Sequence, residues 1–309
     1  MQKIVILLGG WSEERAVSLV SGAQIEKELQ QLEYETIRLD PHDFSSYQKL
    51  IEHLLTLKPA LVFNALHGAE GEDGRMQALL TMHEIAFTGS GYRACALAMD
   101  KIISSKLAKT LDIPVPEQLV LEKYMEKNAE NTCQLNFPLV IKPYDSGSSC
   151  GISILSDQKG LKTALAEAWQ YSDKAICEKF IPGRELTVSI LGDRVLPVVE
   201  VKPKAGWYDY TNKYTGGNTV YEVPAKISRQ EQQIIQAYAQ KAFKLFGCEV
   251  YGRVDFRYDG KDFYFLEVNT LPGMTELSLT PMAAAAAGFS FGMLLEEIIQ
   301  LSLNRKLGK

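Results

Sequence analysis

At 309 residues with 46% hydrophobic side chains, the chain can bury a substantial core in roughly two or three compact units, which excludes disorder as its general state. Its formal charge is -5, and Lys and Arg are spread thinly rather than gathered into a stripe, which argues against a nucleic-acid or anionic-membrane surface. The 5 cysteines, at positions 95, 133, 150, 177 and 248, lack CxxC spacing and read as free thiols of a reducing compartment, and the 4 histidines lack zinc-ligand spacing.

The apolar run Ile4 to Leu8 is too short for a signal peptide, and no tract approaches the length of a membrane span, Met282 to Phe289 included. A cytoplasmic protein without membrane or nucleic-acid partners is expected. Ile4 to Leu8, the Gly9-Gly10 turn and a helical pattern from about Ser12 to Leu32 read as strand, turn and helix. Ile37 to Leu39 and Ala60 to Asn64 are further strands with the helix Tyr47 to Leu57 between them, a pattern that predicts α/β layering on a parallel sheet. Gly68 to Gly74 reads as an acidic loop, Arg75 to Met82 as a helix, and Arg93 to Lys109 as one helix ending before Ile113-Pro114-Val115-Pro116. Strands at Leu119 to Leu121, Leu139 to Lys142, Ile152 to Leu155 and Ala175 to Lys179, with a helix over Lys159 to Ser172, predict a small α+β unit.

A third unit opens near Arg184, with a hairpin of Leu186 to Leu191 and Arg194 to Val201 about Gly192-Asp193. Lys202 to Asn218 has no firm period and is of the length kept for a lid or binding loop. Ser228 to Phe246 reads as a helix, Tyr251 to Tyr258 and Phe263 to Asn269 as a hairpin turning at Asp259-Gly260, the alanine-rich stretch from about Met282 as a helix, and Ser290 to Ser302 as a closing helix.

In that hairpin Arg253 and Asp255 share one face, as do Glu267 and Asn269 of the partner strand, with Phe256, Phe265 and Leu266 as the apolar back. Two carboxylates and an amide oxygen there read either as Mg²⁺ ligands or as a solvated charged face. Lys142 precedes the loop Asp145-Ser146-Gly147-Ser148-Ser149-Cys150-Gly151, which reads as an anion nest or a plain surface turn, and is not a P-loop. Ile176 to Ile181 alternates like an ordinary strand. Ser12 can cap the first helix with Glu13 and Glu14 in its first turn, His67 reads equally as packed or substrate-contacting, and Gly273 with Ser278 precedes a helix start that could receive an anion.

In order, these fragments resemble the D-alanine–D-alanine ligases of the ATP-grasp superfamily. The resemblance runs through Leu8-Gly9-Gly10, Glu14-Arg15, Leu66-His67-Gly68, Gly71-Glu72-Asp73-Gly74, Lys142-Pro143, Gly252-Arg253-Val254-Asp255, Glu267-Val268-Asn269-Thr270 and Pro272-Gly273-Met274-Thr275, and so covers nearly the whole chain. It implies an α/β and α+β fold of three domains: an N-terminal open parallel-sheet domain at 1–98 that binds substrate, a central α+β domain at 99–183, and a C-terminal catalytic domain at 184–309 with a covering loop near 202–218. It implies ATP-dependent joining of two D-alanines through D-alanyl phosphate for peptidoglycan precursors, two Mg²⁺ with Mn²⁺ as a possible substitute, and a homodimer.

The resemblance also implies roles residue by residue. Lys101, Lys142, Ser148, Glu178, Lys179, Ile181 and Glu185 would contact nucleotide, and Asp255, Glu267 and Asn269 would hold the metal. Glu14, in a set with Ser148 and Tyr214 and near His67, would receive the first D-alanine. Arg253 and the Gly273 N–H would steady the acyl phosphate, and Lys213, Ser278 and Leu279 would secure the second carboxylate. Tyr214 favours the amide-forming over the ester-forming branch. Ser146 stands where an acid more often precedes the glycine, and Ala78 where glycine is common.

Overall fold

The computed structural model describes residues 2–124, 133–147, 149–207, 217–275 and 278–305. Ser148, Lys213 and Tyr214 lie outside the described residues. Strands β1 (Lys3–Leu7), β2 (Glu35–Leu39) and β3 (Leu61–Asn64) form a parallel sheet in the order β2-β1-β3. Ile4, Val5, Ile6 and Leu7 are fully buried, which is why this strand reads as an unbroken apolar run. Helices α1 (Arg15–Gln31) and α2 (Tyr47–Leu57) make the crossovers. At Gly22 of α1 an added Cβ would fall 2.6 Å from the Leu8 side chain, so only glycine lets α1 lie this close to the end of β1.

Two expectations about helices are corrected. The first helix starts at Arg15, not near Ser12, because Ser12 Oγ donates to the His67 carbonyl at 2.5 Å and Glu14 takes the N-cap position. The expected single helix over 93–109 is two, α4 (Tyr92–Met99) and α5 (Lys101–Lys109), after the short α3 (Arg75–Met82). Asp100 is extended between them and its carboxylate accepts from the N–H groups of Ile102 and Ile103, so a new N-cap replaces helical continuity.

The second sheet comprises β4 (Gln118–Glu122), β5 (Leu139–Pro143), β6 (Ser153–Leu155) and β7 (Lys174–Lys179), antiparallel in the order β4-β7-β5-β6. Helix α6 (Leu161–Tyr171) buries Ala164, Leu165, Ala168 and Trp169 in the core it shares with this sheet. The third sheet is antiparallel, order β11-β10-β8-β12-β13, from β8 (Arg184–Leu191), β10 (Val199–Pro203), β11 (Thr219–Glu222), β12 (Tyr251–Tyr258) and β13 (Phe263–Asn269), with the short β9 (Arg194–Val195) paired to β8. The return strand expected over 194–201 is thus divided: Pro197 has no N–H to give a ladder, and pairing resumes only at Val199. β11, which begins just after the aperiodic stretch, was not expected from its sequence.

Helix α7 (Arg229–Leu245), opened by a Ser228/Glu231 capping box, covers one face of this sheet, and α4 and α5 pack on β13. Helices α8 (Leu279–Ala286) and α9 (Phe291–Asn304) complete a core that runs from Ile4 and Ile6 through Leu294, Leu295 and Ile298 to Leu191 and Val199. Among the described residues no single helix is long and apolar enough to cross a membrane.

Cys95, Cys177 and Cys248 are buried, and burial pushes the thiols of Cys95 and Cys248 up to about 12 and that of Cys177 upward too. All three should therefore stay protonated and unreactive toward a disulfide reagent at pH 8 until the protein is denatured. Cys133 and Cys150 are partly accessible and should react first, with counting of released thiolate before and after denaturation as the check.

Candidate active site

Strands β12 and β13 place Arg253 opposite Asn269 and Asp255 opposite Glu267, so the expected juxtaposition is present. Beyond that pair the register slips: Phe256 lies opposite Phe265, and Leu266 is the extra residue of a β-bulge. The bulge overturns one expectation. Leu266 does not join Phe256 and Phe265 in the buried back but lines the cleft beside Glu267, because the unpaired residue breaks the two-residue alternation.

Asp255 accepts a forked pair from Arg253, Nε to Oδ1 at 2.8 Å and Nη2 to Oδ2 at 2.7 Å, and a hydrogen bond from Thr187 Oγ1 at 2.5 Å. Glu267 Oε2 lies 3.2 Å from Lys101 Nζ, which also donates to the Ser146 carbonyl at 2.7 Å. Asn269 Oδ1 accepts from the Leu271 N–H at 3.1 Å. Two acids and two cations thus compensate each other in a half-buried setting where lone charges would be costly.

The cleft between the second and third sheets is lined by Lys101, Lys142, Glu178, Lys179, Ile181 and Glu185 together with Arg253, Asp255, Glu267 and Leu279. Every described residue expected at the nucleotide is therefore on one wall or the other. Lys142 Nζ and Glu178 Oε1 pair at 2.7 Å, both buried, and β7 is internal to its sheet, which fixes Glu178 and Lys179 at a set height on the cleft wall. Val140, Ile154, Phe180 and Leu266 give the cleft an apolar lining able to take a planar base. Arg257, unassigned from sequence, bridges the walls: it donates to the carbonyls of Ile181 at 3.1 Å and Gly183 at 2.8 Å and lies 3.5 Å from Glu185. Its signal was available, since it continues the Arg253, Asp255 face of the strand.

A second group converges on the N-terminal end of α1. Glu14 is buried, and a Cβ added at Gly147 would fall 2.6 Å from its Oε1 and one at Gly68 3.4 Å away, so the carboxylate sits between two glycine loops. His67 is also buried; its Nε2 shares a hydrogen bond with Ser21 Oγ at 3.1 Å and its Nδ1 faces Glu72 Oε1 at 3.4 Å. Sequence reasoning left Ser21 and Glu72 without a role, as neither is adjacent to His67 in the chain. Gly273 lies against Ser278, whose Oγ accepts from the Thr275 N–H at 3.1 Å, and Leu279 begins α8 at the cleft edge.

Two antiparallel sheets closing on a cleft, with lysines on one and a carboxylate pair on the other, are the arrangement of the ATP-grasp superfamily. The family model described as D-ala D-ala ligase C-terminus matches residues 107–300. The chain is 40% identical to the D-alanine–D-alanine ligase of Syntrophotalea carbinolica over 99% of this chain and 97% of the relative. It is likewise 40% identical to that of Halalkalibacterium halodurans, over 98% and 100%. Among solved structures, the D-alanine–D-alanine ligase of Bacillus anthracis complexed with ATP superposes with a TM-score of 0.86 at 31% identity over 98% of both chains. The VanG D-Ala:D-Ser ligase of Enterococcus faecalis gives 0.82 at 29% identity over 97% and 99%. The chain belongs to the D-ala D-ala ligase family.

Proposed function

We propose that this protein is an ATP-dependent ligase that activates one D-alanine as D-alanyl phosphate and joins it to a second, yielding D-alanyl-D-alanine, ADP and phosphate for peptidoglycan precursors. The observation that carries the reading is the cleft itself, where the lysines 101 and 142 face the registered pair Asp255 and Glu267, with the buried Glu14 set on the Gly147 loop. In this reading the fold works as three domains, with ATP held between the second and third sheets, in a cytoplasmic homodimer.

Lys101 and Lys142 supply positive charge to the phosphates, Glu178, Lys179 and Ile181 border the base, and Glu185 the ribose. Asp255, Glu267 and Asn269 offer only hard oxygen donors, without sulfur or imidazole, which fits Mg²⁺, two ions or Mn²⁺ in their place, and not zinc. When bound, the metal would neutralise phosphate charge. Phosphoryl transfer needs alignment and charge compensation rather than a covalent nucleophile, and the chain's part is to provide both.

Glu14 receives the ammonium of the first D-alanine, whose carboxylate is thereby presented to the γ-phosphoryl group. Arg253 and the Gly273 N–H donate to the oxygens on which charge develops when the second amine attacks. Ser278 and Leu279, with Lys213, border the second carboxylate, while Ser148 and Tyr214 complete the Glu14 set. The covering loop excludes water that would hydrolyse the acyl phosphate.

Glu14→Gln is expected to raise the KM for D-alanine by about tenfold, the loss of one charge-assisted contact. Gly147→Ala should do the same by pushing the carboxylate aside, with nucleotide affinity retained in Glu14→Gln. Unaltered D-alanine kinetics in the two variants would reject the assignment.

The reading as a whole is tested by ADP release with Mg²⁺-ATP and D-alanine, L-alanine, or D-alanine with D-serine or D-lactate, the products identified by mass. D-alanine-dependent release matched by D-alanyl-D-alanine supports it. Turnover only with another acceptor keeps the chemistry and changes the substrate, and absence of turnover despite ATP binding rejects it.

A further inference from the structure

The two halves of the site lie on different sheets, Glu14 and His67 beside β1 and β3, Asn269 and Gly273 at the end of β13. We infer that Arg305, at the C-terminal end of α9, is a positioning residue that sets these halves against each other. Its side chain is only 7% accessible although it lies at the chain's periphery. The guanidinium stacks on the Phe87 ring at 4.3 Å, donates to the Phe87 carbonyl at 3.1 Å and to the Gly89 carbonyl, and lies 3.5 Å from Glu249.

The segment it grips has two sides. On one, Phe87 bridges Val62, the Thr88 N–H donates to the Val62 carbonyl at 3.0 Å, and Thr88 Oγ1 accepts from the Asn64 N–H at 3.0 Å, so the segment lies parallel beside β3, the strand that leads into His67. On the other, Gly89 rests on the turn after Asn269: an added Cβ would meet Leu271 Cδ2 at 3.0 Å and the Thr270 carbonyl at 3.7 Å. Leu271 in turn donates to Asn269 Oδ1. A second fastening runs parallel, since Ser90 Oγ donates to the Glu249 carbonyl at 3.2 Å and accepts from its N–H at 3.0 Å. Arg305 therefore holds the 87–90 segment from outside while its inner face supports the turn that continues to Gly273.

Such a fastening acts on the spacing between the amine-binding group and the acyl-phosphate donors. It acts least on the nucleotide wall that carries Lys142 and Glu178, because that wall is built from β5 and β7 of the second sheet. The inference rests on the ligase reading above. Its test uses the full chain as Arg305→Met and Arg305→Lys, with D-alanine kinetics, binding of a non-hydrolysable ATP analogue, and thermal melting measured on each. Arg305→Met should raise the KM for D-alanine by about tenfold, since small misplacements of a bound group are costly, with analogue affinity within about twofold and kinetics read well below its melting temperature. Arg305→Lys, which keeps one donor to the carbonyls, should recover most of the loss.

A variant that melts lower yet keeps its D-alanine KM would reduce Arg305 to a structural tie and overturn the proposal, as would equal weakening of D-alanine and analogue. If the unaltered protein shows no D-alanine-dependent ADP release, the functional reading fails separately. Hydrogen exchange at amides 87–91 and at 270, 271 and 273 then decides the fastening: faster exchange at both in Arg305→Met supports it, and unchanged exchange refutes it.

Discussion

Glu267→Gln is expected to lower turnover by at least about 100-fold at saturating Mg²⁺ and ATP, the scale on which loss of one preorganised electrostatic group acts. The substitution keeps size and hydrogen-bonding capacity and removes one charge. That charge has two duties in the structure: it faces Asp255 across the β12-β13 register, and it compensates Lys101, whose side chain is 8% accessible. With glutamine there, Lys101 loses this counter-charge while keeping the Ser146 carbonyl, and the oxygen set proposed for Mg²⁺ loses half its formal charge. Nucleotide should still enter, because the apolar walls and the Lys142–Glu178 pair are untouched. Single-turnover and steady-state rates across a Mg²⁺ titration are the check, and a near-normal kcat at saturating metal would exclude Glu267 from the proposed metal site.

Arg253→Met should be comparably severe, with a fall in kcat of about 10²- to 10³-fold, and should also lower stability. Arg253 and Asp255 are 12% and 13% exposed, and breaking a pair this buried leaves a carboxylate with the Thr187 hydroxyl but no paired cation from Arg253, a cost of about 3 kcal/mol. The two effects separate by temperature: kinetics read well below the melting point report the lost donor, and the melt reports the stranded acid. Arg253→Lys should recover part of the stability but little of the rate, because an ammonium cannot reproduce the fork to both Asp255 oxygens while pointing at substrate. Full kcat in either variant would remove Arg253 from the reacting centre.

The hairpin carrying these residues was legible because each feature that makes it is local. Its strands alternate at period two, its turn is Asp259-Gly260, and Asp259 Oδ1 accepts from the N–H groups of Lys261 and Asp262 at 2.8 Å, closing the turn from within. The helices over Tyr47–Leu57 and Arg75–Met82 and the parallel opening sheet were legible for the same reason. Helix breaks were harder. The apolar period runs on through Asp100, and only the competition between its side chain and the helical hydrogen bond divides α4 from α5.

What the amino-acid order determined by itself was the inventory: which residues are apolar at which period, where glycine and proline interrupt them, and which acids and bases share a strand face. Tertiary structure alone decided which of these groups meet. The Leu266 bulge, the closeness of Glu14 to Gly147, the Ser21–His67–Glu72 array, the Arg257 bridge and the grip of Arg305 on Gly89 all join segments remote in the chain, apart from the bulge, which is set by pairing between strands. Their partners are selected by how three sheets pack around shared cores, and that choice depends on the summed burial of many side chains rather than on any local pattern.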